Sequence, residues 1–187
     1  MKKVIVMLAD GFEEIEAISV VDILRRANVV CDMCSINKDH VKGAHGILIK
    51  SDCYIDDIDV SEYDAIVLPG GLPGATNLND ERVKKFVTEL NKEGKIVAAI
   101  CAAPETLEVF DILKNKRCTS YPGFIKNREE VTYIEDIVVK DENVITSRGP
   151  ATSIAFGLEI LKSLGYEKEY NDLKEGMMVN FYNKLVK

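Results

Sequence analysis

Lys95-Ile-Val-Ala-Ala-Ile-Cys101-Ala-Ala-Pro104-Glu-Thr-Leu107 is the stretch that decides the fold. Its apolar run up to Ile100 reads as a buried strand, and Ala102 to Leu107 reads as the opening turns of a helix. A strand that is apolar on both faces and passes straight into a helix belongs to a parallel sheet covered on both sides. The turn between them exposes a side chain at the carboxyl edge of that sheet, where open α/β folds bind ligands. Here that side chain is a thiol. Unpaired N–H groups and partial positive charge at a helix start favour thiolate over thiol, so Cys101 is expected to be the nucleophile and the most acidic of the five cysteines.

Outward from Cys101 the same grammar repeats. Strand-like runs occur at Val4–Leu8, Val29–Cys34, Ala65–Leu68 and Val144–Thr146. Between them Ala17, Val20, Val21 and Leu24 fall at helical spacing, as do Val83, Phe86, Val87 and Leu90, and again Ile154, Gly157, Leu158 and Leu161. Asn79 or Asp80 is placed to cap the second of these helices and Gly94 to close it. Val131–Tyr133 and Ile137–Val139 read as short strands of a peripheral hairpin carrying Asp136. Glu169 to Lys187 reads as one terminal helix with Leu173, Met177, Phe181 and Leu185 on a stripe. The expected architecture is α/β, a flavodoxin-like three-layer sandwich with a mostly parallel central sheet.

A chain of 187 residues with 47% hydrophobic content suits one compact domain over residues 1–187. A net charge of -7 argues against a nucleic-acid surface, which needs a basic patch. Met1 to Leu8 stops at Asp10-Gly-Phe-Glu-Glu14 without a cleavage pattern, and no apolar stretch approaches a membrane span. The odd number of cysteines fits a reducing compartment, so a cytoplasmic protein without membrane attachment is expected. Cys31 and Cys34 form a C-x-x-C inside a strand-like run with no second pair to complete a zinc site, and read as core; Cys53 and Cys118 have no evident partner. No metal site is expected.

Pro69-Gly70-Gly71-Leu-Pro-Gly74 follows the strand ending at Leu68 and places glycines at a second carboxyl edge. They serve either a tight turn or, with Ala102, an oxyanion hole of backbone N–H groups from Gly70, Gly71 and Ala102 beside Cys101. The run lacks the G-x-x-x-x-G-K of a phosphate loop, which argues against nucleotide binding. Glu13 and Glu14 suit a helix N-terminus, but Glu16 lies near the buried side of its helix and is expected to meet Cys101 and share one proton with it. The two histidines, His40 and His45, both precede Cys101 and leave no downstream histidine for a Cys-His-acid triad.

Leu8 to Glu16, Val67 to Gly74, Ala98 to Pro104 and Thr146 to Ser153 together resemble the ThiJ/PfpI superfamily, in particular its Parkinson-disease-protein (DJ-one) branch. The likeness runs from the first strand to about Leu164. It implies a flavodoxin-like, class I glutamine-amidotransferase-like domain, a homodimer, a reactive Cys101 with Glu16 as hydrogen-bond partner, and no cofactor. It further implies action on reactive carbonyls, either as a glyoxalase on methylglyoxal or as a deglycase on early glycation adducts. The alternative is a redox sensor or chaperone whose Cys101 oxidises to sulfinic acid. Ala102 stands where the peptidase branch has histidine, which removes a proteolytic dyad. Tyr121 replaces a histidine of the branch, and His45-Gly46 replaces an arginine-containing pair that reaches the partner's site. Arg148 matches the family's arginine, which makes His45, Tyr121 and Arg148 the expected pocket residues.

Overall fold

The computed structural model describes residues 1–37 and 39–186. In chain order it forms β1 (Lys3–Leu8), α1 (Glu14–Arg26), β2 (Val30–Ser35), β3 (His40–Lys42), β4 (Leu48–Lys50), β5 (Cys53–Tyr54) and β6 (Ala65–Leu68). There follow α2 (Gly74–Asn77), α3 (Glu81–Lys92), β7 (Ile96–Ile100), α4 (Pro104–Val109), β8 (Arg117–Cys118) and β9 (Thr132–Tyr133). The chain ends with β10 (Val138–Asp141), β11 (Val144–Ser147), α5 (Ser153–Ser163), α6 (Glu167–Gly176) and α7 (Val179–Leu185).

Seven strands make one sheet in the order β10-β11-β7-β6-β1-β2-β5, parallel except for the β10–β11 pair. Because β6 and β7 carry no charged residue and are buried along their whole length, both faces of the sheet need cover. One face packs Val4, Val6 and Leu8 against Val20, Leu24, Phe156 and Leu161 of α1 and α5. The other packs Ile5, Met7, Ile66 and Leu68 against Val83, Val87 and Leu90 of α3 and Leu107 of α4. This is the flavodoxin-like sandwich expected. The chain runs outward from β1 to β2 in one direction and returns to β6 on its other side, so the strand order reverses between β1 and β6. A crevice opens at such a reversal, and the carboxyl ends of β1, β6 and β7 border it.

Several local expectations change. Thr132–Tyr133 and Val138–Asp141 do not form a hairpin: β9 pairs with β8 in a separate small sheet, whereas β10 pairs with β11 at the main sheet's edge. His40 and His45, read from the sequence without an element, fall in the β3–β4 hairpin, His40 in β3 and His45 in the turn. The terminal helix is two helices, because Met178 adopts a left-handed φ of 62° that stops α6. Leu173 and Met177 pack on the core while Phe181 and Leu185 stay exposed, and Lys187 lies outside the described residues. Asp80 rather than Asn79 caps α3, accepting from the Arg82 N–H at 2.8 Å. Ile154 is exposed, although Gly157, Leu158 and Leu161 are buried as expected. Among the described residues no helix is long and apolar enough to cross a membrane.

Candidate active site

Cys101 occupies the residue between β7 and the turn into α4, with φ of 63°. That left-handed conformation costs a non-glycine residue about 1–2 kcal/mol. Two hydrogen bonds hold it there: the Cys101 N–H donates to Ser147 O at 3.0 Å, and the Tyr121 N–H donates to Cys101 O at 2.8 Å. The helix behind is shorter than the sequence implies, starting at Pro104 and lasting six residues. Local N–H groups of Ala102 and Gly71, rather than a long helix dipole, therefore favour negative charge on the sulfur.

Glu16 lies in the first turn of α1 and is fully buried. Its Oε2 accepts the Gly70 N–H at 2.7 Å, while Oε1 is buried without a backbone or hydroxyl partner. The remaining polar neighbour of this carboxyl is the Cys101 thiol. Burial raises Glu16 to about 7 against the pull of the Cys101 and Gly70 hydrogen bonds, with the charge of Glu13 adding to the rise. Burial first, and the Glu16 carboxylate second, push Cys101 up to about 12. Two acids forced together in a dry site hold one proton between them over the interval separating those values.

Two expectations are corrected by this geometry. Gly70 directs its N–H to Glu16 and is not an oxyanion donor, which leaves Gly71 and Ala102 facing the sulfur. Cys101 is also not the cysteine with the lowest pKa while Glu16 is ionised, since Cys53 alone among the five cysteines is held below the ordinary value, by the neighbouring Cys34 thiol. The glycine at 70 is required by space: a Cβ there would lie 2.6 Å from Glu16 Oε2 and 2.8 Å from Cys101 Cβ. Sequence spacing carries no signal for that contact, which joins residues 54 apart.

The outer residues divide. Tyr121, Pro122 and Arg148 line, with Gly149 to Thr152, an open depression of about 360 Å³. Its walls are tied to Cys101 by the Tyr121 and Ser147 backbone bonds. Arg148 Nη2 is 3.6 Å from Glu135, whereas Nη1 is buried without a hydrogen-bond partner. Within its own chain His45 contacts Glu13 and Glu14: its Nδ1 lies 2.9 Å from Glu14 Oε2, and its N–H donates to Glu14 Oε1 at 2.8 Å. The hydrogen bond to Glu14 raises the His45 pKa. Burial alone would raise Glu14, but bonds from the His45 ring and the backbone hold it below the ordinary value. Among the described residues Glu13, Glu14 and His45 are the group whose donor atoms lie within 4.8 Å of one another as a metal would need, and this group does not include Cys101.

A cysteine strained into a strand-to-helix elbow, set against a buried carboxyl at the crevice of a flavodoxin-like sheet, defines the class of α/β protein. The chain belongs to the DJ-1/PfpI family, whose model matches residues 2–163. Protein dj-1beta of Drosophila melanogaster is 34% identical over 184 residues, covering 96% of this chain and 98% of that one. A Pyrococcus horikoshii protein named as a deglycase is 33% identical over 165 residues, covering 87% of this chain and 99% of its own length. Protein DJ-1 homolog B of Arabidopsis thaliana is 37% identical over 172 residues, and the chain, 89% of which is matched, spans 39% of that relative's length. The crystal structure of Drosophila DJ-1beta superposes with a TM-score of 0.88 at 33% identity, covering 95% of this chain and 98% of that one. Oxidised DJ-1 from Toxoplasma gondii gives 0.90 at 30% identity, with the same two coverages.

Proposed function

We propose that the chain is a cysteine enzyme that acts on reactive carbonyls, as a glyoxalase on methylglyoxal or as a deglycase on early glycation adducts. The observation that carries this reading is the fully buried Glu16, with a pKa near 7, beside the Cys101 sulfur. A proton-transfer group serves best when its pKa lies near the working pH. The Cys101 thiolate attacks the aldehyde carbon, forming a C–S bond and moving the carbonyl electron pair onto oxygen. The N–H groups of Gly71 and Ala102 receive the developing oxyanion, and Glu16 delivers the shared proton and later takes one back during isomerisation or hydrolysis. The unpaired Arg148 Nη1 and the Tyr121 ring supply the pocket for the rest of the substrate. The deglycase name of the Pyrococcus relative supports the substrate class.

A second reading uses the same carboxyl. Protonated Glu16 donates to an oxygen on an oxidised Cys101 sulfur, which makes the protein a redox sensor or chaperone; the oxidised Toxoplasma relative supports it. In both readings we take the working unit to be a homodimer, with exposed Ile15, Ile47 and Leu48 around His45 as the apolar contact. Turnover decides between the readings. Reduced protein incubated with methylglyoxal is expected to release lactate over many cycles, and Cys101→Ser to release none. Consumption of a single equivalent would overturn the enzyme reading in favour of the sensor.

A further inference from the structure

Cys34 and Cys53 are far apart in sequence, but β2 and β5 pair in parallel with Cys34 directly opposite Cys53. Both side chains face the same core cluster, Cys34 fully buried and Cys53 partly buried on the edge strand of the sheet. Neighbouring strands lie about 4.7–4.9 Å apart, inside the Cα separation that a disulfide tolerates. Cys31, three residues before Cys34, faces the opposite cluster, so the C-x-x-C cannot close on itself. We propose that Cys34 and Cys53 are a second redox site, a dithiol that a hydroperoxide converts to an intramolecular disulfide and that a small thiol restores, separate from Cys101.

The two sulfurs have different roles. The Cys34 thiol reaches Ser35 O at 3.8 Å, and the proximity of the two sulfurs raises Cys34 and lowers Cys53, making the more accessible member the more acidic. Asp32 and Asp52 oppose that acidity, and the Tyr63 hydroxyl, whose proton goes to Asp32 at 2.8 Å, sits beside Cys53. The Cys53 thiolate attacks one peroxide oxygen. An S–O bond forms, the O–O bond breaks, and the departing oxygen takes up a proton as water or alcohol. Cys53 is oxidised to sulfenic acid and the peroxide is reduced. Cys34 sulfur then displaces the hydroxyl from Cys53: the S–S bond forms, the S–O bond breaks, and the Cys34 proton leaves with the hydroxide as water. Cys34 meets no water-borne oxidant directly, so it acts as the resolving thiol.

The test uses the full chain carrying Cys101→Ser, which removes the other redox site and the proposed carbonyl activity together, so the outcome is independent of that activity. After hydrogen peroxide, alkylation and digestion, mass spectrometry is expected to find Cys34 joined to Cys53, with fragmentation excluding Cys31, and dithiothreitol to reverse the link. Phenylarsine oxide, a dithiol probe, is expected to bind the reduced protein at one per chain and not to bind Cys53→Ser, whose fold is checked by circular dichroism. The same mapping on the unmutated chain guards against a misfolded variant. Peroxide that leaves both cysteines as free thiols, or that joins either one to a different cysteine, overturns the proposal.

Discussion

The Gly70 N–H donates to Glu16 Oε2 at 2.7 Å, and this bond across 54 residues sets where the fully buried carboxyl beside Cys101 stands. It draws α1 against the loop after β6 and leaves the other carboxyl oxygen for the thiol. The reactivity of Cys101 is therefore governed from a different element of the fold.

Glu16→Gln is expected to lower turnover by roughly 10²-fold or more, the usual loss for a proton-transfer group. It should also bring the Cys101 pKa down, because one cause of its rise is the Glu16 charge. Iodoacetamide rates against pH, with Cys53 blocked or mutated, measure the second effect. An unchanged inflection would separate the two groups.

Stability against pH follows from the same carboxyl. Its folded pKa of about 7 lies above the ordinary 4.5, so its contribution is fully present below pH 4.5 and is lost as pH rises through 7. Glu16→Gln escapes that loss, and urea titrations should show the variant gaining on the parent across that interval by on the order of 3 kcal/mol. A constant difference from pH 4 to 8 would contradict the raised pKa.

Gly70→Ala should reduce activity and stability together. The new Cβ would sit 2.6 Å from Glu16 Oε2, and overpacking of this kind costs about 1–3 kcal/mol. Thermal unfolding and methylglyoxal turnover check both halves.

At position 101 the usual order of glycine and alanine should reverse. With φ of 63° the backbone prefers glycine, so Cys101→Gly is expected to be more stable than Cys101→Ala by about 1 kcal/mol. Denaturant midpoints of the two inactive variants give the comparison directly.

His45 should titrate above its ordinary 6.5, since the bond to Glu14 favours the imidazolium. Its share of stability is present below 6.5 and is lost as pH rises through the higher folded value. Nuclear magnetic resonance of the ring, with Glu14→Gln returning the pKa towards 6.5, reads the effect without reference to activity.

The local sequence determined the elements with strong period: the short unbroken apolar runs at Val4–Leu8, Ala65–Leu68 and Ile96–Ile100, alternating with helical patterns, read as strands buried on both faces, and the spacing of Val83, Phe86, Val87 and Leu90 as one face of a helix. It also exposed Cys101 as the residue at the elbow and Glu16 as a carboxyl on the wrong side of its helix. What periodicity could not carry was any relation between elements. That Gly70 serves Glu16 rather than an oxyanion, that His45 closes on Glu14, and that Cys53, without an evident partner in the sequence, stands opposite Cys34 are all contacts across strands or loops. Such pairings depend on sheet order and register, which arise from packing the whole chain at once, and a residue's own neighbours in sequence hold no record of them.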